Sequence, residues 1–163
     1  MNFDELADAL KNGDITLADW EAQMRDFARA ELTTAMILQR GGRQNVTQSD
    51  YGYVGSQIKA QYAFIHGFAN DIKSDPGKWL TGNRLNGRMA LYNNIGYVAL
   101  ADDERRDAKK SGYTEERRVK DPTVQNCPGC EEQDALGWQE IGTLDPIGAE
   151  ECNNHCHCTF EYR

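Results

Sequence analysis

Apolar residues recur at helical spacing over the first hundred positions, then thin out into a Gly-, Pro- and Cys-rich tail. Phe3, Leu6, Ala7 and Leu10 share one helical face, and Asn12-Gly13-Asp14 breaks it. Thr16 with Asp19 three residues on resembles a capping box, with Ile15 placed as a hydrophobic staple. The helix that starts there places Trp20, Met24, Phe27, Ala28, Glu31, Ala35 and Leu38 on one face, and is predicted to stop at Gly41-Gly42. A polar stretch follows. The cleanest periodic run comes next: Val54, Ile58, Gln61, Tyr62, Ile65, Phe68, Ala69 and Ile72, closed by Ser74-Asp75-Pro76-Gly77. Trp79 and Leu80 read as loop anchors. A fourth helix begins after Thr81-Gly82-Asn83 and carries Leu85, Met89, Tyr92, Gly96 and Ala99. Its continuation, DDERRDAKK, is so charged that it is expected to leave the bundle or lie on its surface, ending at Ser111-Gly112.

Beyond this the period changes. Tyr113–Val119 reads as a short strand with charges on one side, and the final CTFEYR alternates as a strand does. Between them Leu136, Trp138, Ile141, Leu144 and Ile147 are the apolar anchors of an otherwise irregular segment. The fold class this implies is mainly α. A bundle of three to four helices (residues 1–112) is followed by a small Gly/Pro-rich β module (residues 113–163).

Charge sharpens the division. The net charge is −8, and residues 121–163 hold all of it, with nine acidic residues against Arg163 alone. Such a tail is a poor surface for phosphate contacts, so nucleic acid is not the predicted partner. No run of 18 apolar residues is present, so no membrane span is expected. The N-terminus lacks the pattern of an export signal, so synthesis in a cytoplasm is expected.

All five cysteines lie in the tail. Cys127-Pro128-Gly129-Cys130 is a C-x2-C knuckle, and Cys152-x3-Cys156-x-Cys158 follows with His155 and His157 interleaved. An odd number of cysteines with no export signal favours a metal over disulfides. Zinc in structural sites takes four tetrahedral sulfur or nitrogen ligands. The expectation is one structural Zn2+ held by Cys127 and Cys130 with two of Cys152, Cys156 and Cys158, the two histidines being in reserve. An iron–sulfur cluster would want tighter spacing. Catalysis finds little support. The deaminase pattern H-x-E with P-C-x-x-C is absent, because the proline lies inside the knuckle and His66 is followed by Gly67-Phe68. There is no H-E-x-x-H, and neither Gly41-Gly42 nor Gly52-x-x-Gly55 is a phosphate loop. His66, beside Ile65 and Phe68, reads as structural. Arg105-Arg106-Asp107-Ala108-Lys109-Lys110 reads as a solvated helix face.

The order Cys127-x2-Cys130, Gly137-Trp138, Leu144-x-Pro146-x-Gly148, Cys152-x3-Cys156-x-Cys158-x-Phe160-Glu161-Tyr162 resembles the C-terminal region of phage head-morphogenesis, or minor head, proteins. That family ends its zinc-like module in Cys-Arg-Cys and a short strand; here the element is Cys156-His157-Cys158, then Thr159–Tyr162. Many members have His-Pro where this chain has Cys152 and the residues after it. The Gly-Gly break, a helix like Phe64–Ile72 and Arg88-x3-Tyr92 also resemble the scaffold that precedes the module. The resemblance implies a non-enzymatic structural component of a tailed-phage virion, made in the host cytoplasm. It would be associated with the portal or the major capsid protein, as a homo-oligomer in a symmetric assembly. A regulatory zinc protein that contacts nucleic acid and a small metal-dependent hydrolase are the alternatives.

Overall fold

A computed structural model describes residues 2–163, the side chain of Asn154 excepted. The protein is mainly helical, with one small sheet. The helices are α1 (Phe3–Asn12), α2 (Leu17–Gln39), α3 (Gln48–Ser74), α4 (Pro76–Trp79), α5 (Arg84–Ala90), α6 (Ile95–Lys110) and α7 (Pro128–Ala135). The strands are β1 (Glu115–Val119), β2 (Gln139–Glu140) and β3 (Thr159–Tyr162). The chain divides into two compact units, one ending at Gly96 and the other running from Tyr97 to Arg163. The division falls inside the first turn of α6, earlier than the boundary at residue 112 expected from the helical pattern. Among the described residues no helix is long and apolar enough to cross a membrane.

In the first unit local sequence and structure agree closely. Asn2 caps α1 through its side chain, and Gly13 ends it in the left-handed region at φ 78°. Thr16 and Asp19 form the full capping box of α2. The buried stripe of α2 is Trp20, Met24, Ala28, Leu32 and Met36, a strict i+4 row. A straight i+4 row drifts around the helix, and it carries Leu38 out to 72% exposure instead of into the core. Trp20 is fully buried and meets the edge of Phe68 at 5.3 Å, while its indole N–H points at Met89 Sδ, 3.4 Å away. Phe68 in turn meets Trp79 at 5.0 Å. Gly96 sits where an added Cβ would lie 3.2 Å from Ala35 Cβ, so the small residue permits a close approach. His66 is exposed and contacts Glu21 at 3.0 Å.

α3 starts earlier than its apolar run, because Thr47 and Asp50 form a second capping box. Asp50 is buried and accepts from Arg40 Nη2 at 2.7 Å, from the Thr47 backbone at 2.8 Å and from the Thr47 hydroxyl at 2.7 Å. The Arg40 hydrogen bond, first, and the Thr47 donors hold this carboxyl well below the usual carboxylate range, against burial, which pushes it up. A depressed folded pKa means that the stabilisation is complete above the unfolded value near 4 and is lost only as pH falls through the lower folded one. Asp50→Asn should therefore cost about 3 kcal/mol at neutral pH, the scale for breaking a buried pair. The loss should shrink only in strong acid, as read by urea unfolding across a pH series.

The helix expected after Asn83 is two helices. Residues 91–94 turn through tight bonds such as Asn93 N–H to the Ala90 carbonyl, and Asn93-Asn94 is a poor helix-propagating pair. In the second unit the sheet order is β2-β1-β3, antiparallel throughout, with Glu116 opposite Tyr162 and Arg118 opposite Phe160. The charged strand β1 buries its own charges: Glu116 is 0% and Arg118 1% exposed. α6 supplies the complement. Its charged run is no free surface, since Asp103 and Ala108 are buried and Arg105 Nε lies 2.8 Å from Glu116 Oε2. On the other face of the sheet Trp138 is held between Arg117 and Arg163, 5.0 and 4.5 Å from its ring. Arg117 and Arg163 are themselves paired with Glu161 and Glu115.

Candidate metal centre

The two cysteine clusters are brought together by different devices. Cys127 is the N-cap of α7, with Pro128 at its first position, where a missing N–H costs nothing. One turn of helix then carries Cys130 inward to 2% exposure. Gly129 is buried, and its N–H donates to Glu151 at 3.1 Å. The second cluster follows a short 3-10 turn, Asn153–His155. Asn153 takes φ 49°, a left-handed conformation that Asn tolerates better than most residues. Cys156 then leaves in extended conformation, and Cys158 lies directly before β3. The Tyr97 hydroxyl donates to the Cys158 carbonyl at 2.6 Å, tying this strand start to α6.

All five sulfurs gather around Cys130. Its Sγ lies 3.5 Å from that of Cys152 and 3.6 Å from that of Cys156. Two trios, Cys127–Cys130–Cys152 and Cys130–Cys156–Cys158, each have every sulfur within 4.8 Å of the others. Four thiolates at a zinc–sulfur distance of about 2.3 Å define a tetrahedron with an edge of about 3.8 Å. The sulfur separations thus match the metal's requirement, and the donor set is the soft one that zinc takes in structural sites. His155 and His157 are exposed and join neither trio, although both line the same cavity of about 200 Å³. The reserve ligands of the sequence reading therefore stand at the rim, and the sulfurs alone make up the centre.

The surroundings are dry. Cys130, Cys156 and Cys158 form a buried cluster with Ala101 and Ile147, packed by Tyr97, Val98 and Phe160. Burial, first, and neighbouring thiols push Cys130 far above the ordinary thiol range and Cys152 up to about 12. Burial likewise raises Cys158. Burial also opposes ionisation of Cys156, but the backbone N–H groups of Cys158 and Gly148 outweigh it and lower its pKa. Without a cation Cys130, Cys152 and Cys158 resist ionisation; a bound divalent ion would reverse that preference, since coordination deprotonates thiols outright.

Sequence reasoning missed two things here. α7 was hidden because eight residues rich in acids carry no amphipathic stripe; the Cys127-Pro128 start was its one signal. Leu136, expected as an anchor, is 55% exposed, because the chain turns away at Gly137 with φ 65°. Ile141, Leu144 and Ile147 are buried as expected. No family model, curated protein or solved structure matches this chain.

Proposed function

We propose that the unit from Tyr97 to Arg163 is a structural zinc module and that the chain is a non-enzymatic component of a tailed-phage head, placed near the portal or on the capsid interior. The observation that carries the metal reading is the convergence of five cysteines from two distant clusters on the single sulfur of Cys130. Zinc would be held by Cys130 with three of Cys127, Cys152, Cys156 and Cys158. Bound there it would supply cross-linking, joining α7 to the segment that leads into β3. Five sulfurs for four positions would fill the coordination sphere and leave no open position of the kind a catalytic zinc keeps.

The virion reading is carried by the resemblance of the tail to minor head proteins, with Cys156-His157-Cys158 running into a short strand. A long helical pair, α2 and α3, with Leu38 and Phe64 exposed at 72% and 60%, suits a chain that docks on the portal or major capsid protein. The acidic tail disfavours the nucleic-acid alternative. The test is made on purified particles and on the purified protein. Peptides of this chain should co-sediment with DNA-filled particles in fixed ratio to the portal protein, and elemental analysis should give about one zinc per chain. Particles free of the chain would overturn the virion reading; metal-free protein with few titratable thiols would overturn the zinc reading.

A further inference from the structure

Arg118 is a charged group whose hydrogen bonds go to no carboxylate, although the Glu150 carboxylate lies close enough to feel its charge. It is 1% exposed, on the buried face of β1. Its one polar hydrogen-bonding branch, Nη2, donates to the peptide carbonyls of Asp145 and of Pro146, the latter at 3.2 Å. Its plane lies over Phe160, 5.1 Å from the ring centre. The acid on the same strand face, Glu116, is already taken by Arg105 Nε at 2.8 Å and by the Gly142 N–H at 3.0 Å. The remaining branch, Nη1, points at Cys130 Sγ, 3.9 Å away. A buried positive guanidinium favours negative charge at the atoms it donates to. The sulfur it faces is the one shared by both trios.

We infer that Arg118 is the charge-balancing and positioning residue of the metal centre: its guanidinium donates to the metal-bound thiolate of Cys130 and offsets one negative charge of the zinc–thiolate set. This rests on the zinc reading above. Two peptide carbonyls and the Phe160 face fix the guanidinium, so the donor is aimed before the metal arrives. A thiolate that accepts such a bond is a weaker nucleophile and a better-stabilised ligand, the usual effect of partners one shell out from a metal.

The test compares wild type with Arg118→Met, which keeps length and loses charge and donors. Competition with a chromophoric chelator should show zinc held about tenfold more weakly, the lower end of the effect of lost outer partners. N-ethylmaleimide should release zinc faster by a similar factor. With Co2+ in place of zinc, the sulfur-to-cobalt charge-transfer band should move to lower energy, a signature that mere loosening of the fold does not give. Equal affinity, release rate and band in the two proteins would overturn the inference while leaving the zinc reading intact. A wild type that binds no zinc would overturn the zinc reading and this inference with it. Should Arg118→Met fail to fold, NMR of the wild-type guanidinium decides. The Arg118 Nη resonances should shift when Zn2+ is exchanged for Cd2+, and resonances indifferent to the exchange would overturn the inference.

Discussion

Cys130→Ser should empty the metal centre and unfold the second unit, while the helices before Gly96 stay folded. Cys130 is the one sulfur common to both trios, so no other thiol can replace it without dismantling one of them. The remaining four cysteines are graded differently. Five thiols are gathered where a zinc ion would take four, so a single loss at Cys127 or Cys158 would leave a neighbour within reach. The apolar cluster around the sulfurs is small: Ala101, Ile147 and the cysteines themselves, packed by Tyr97, Val98 and Phe160. Zinc binding contributes about 10–16 kcal/mol in small zinc-dependent modules, which equals or exceeds the whole stability of an ordinary domain. The expected result is a protein with almost no bound zinc, with protease cleavage throughout residues 113–163, and with helical circular dichroism from α1–α5 preserved. A Cys130→Ser protein that still carries one zinc and resists protease would show that the trios are incidental. Chelation of the wild type should reproduce the variant, and re-addition of zinc should reverse it in the wild type alone.

The helical unit was largely legible from sequence because its signals are local. The Thr16–Asp19 box, the break at Gly13 and the run from Val54 to Ile72 each name their own structure within a few residues. Where reading failed there, two local signals competed: Thr47 and Asp50 carry the same capping pattern as Thr16 and Asp19, but they sit inside a stretch whose polarity looks like loop. Clustering of the cysteines was legible from spacing alone. The geometry around them was not. Glu116, Arg118, Arg105 and Asp103 all look like solvated charge in a sequence, and only tertiary packing, with Glu116 and Arg105 paired across β1 and α6, makes them core. A buried ion pair is a long-range fact with no short-range signature. The same holds for the choice of Cys130 as the central sulfur, which depends on α7 turning it inward.

The pair between those two elements sets the second large expectation. Glu116 is fully buried, and Arg105 is 12% exposed. Their 2.8 Å contact is an ion pair without well-aligned hydrogen bonding, so its strength comes from charge at short range in a dry place. Glu116 also accepts from the Gly142 N–H, and Arg105 donates to the Leu144 carbonyl at 3.0 Å while lying over Phe160 at 4.2 Å. Through these bonds α6, β1 and the turn after β2 are joined at one point. Glu116→Ala strands the Arg105 charge and frees the Gly142 N–H, and it should cost about 3–5 kcal/mol. Arg105→Met should cost a similar amount by stranding Glu116. The double replacement Glu116→Leu with Arg105→Met removes both charges and should recover much of the loss, because the desolvation that the pair had to overcome disappears with it. Trp138 reports on this unit, and fluorine NMR of the fluorotryptophan-labelled, zinc-loaded protein, which resolves it from Trp20 and Trp79, gives all three values during urea unfolding. Zinc content should stay at about one per chain in every variant, which separates loss of packing from loss of ligand. Losses that simply add in the double variant would mean that the two charges do not act as a pair, and that the second unit is held by the metal alone.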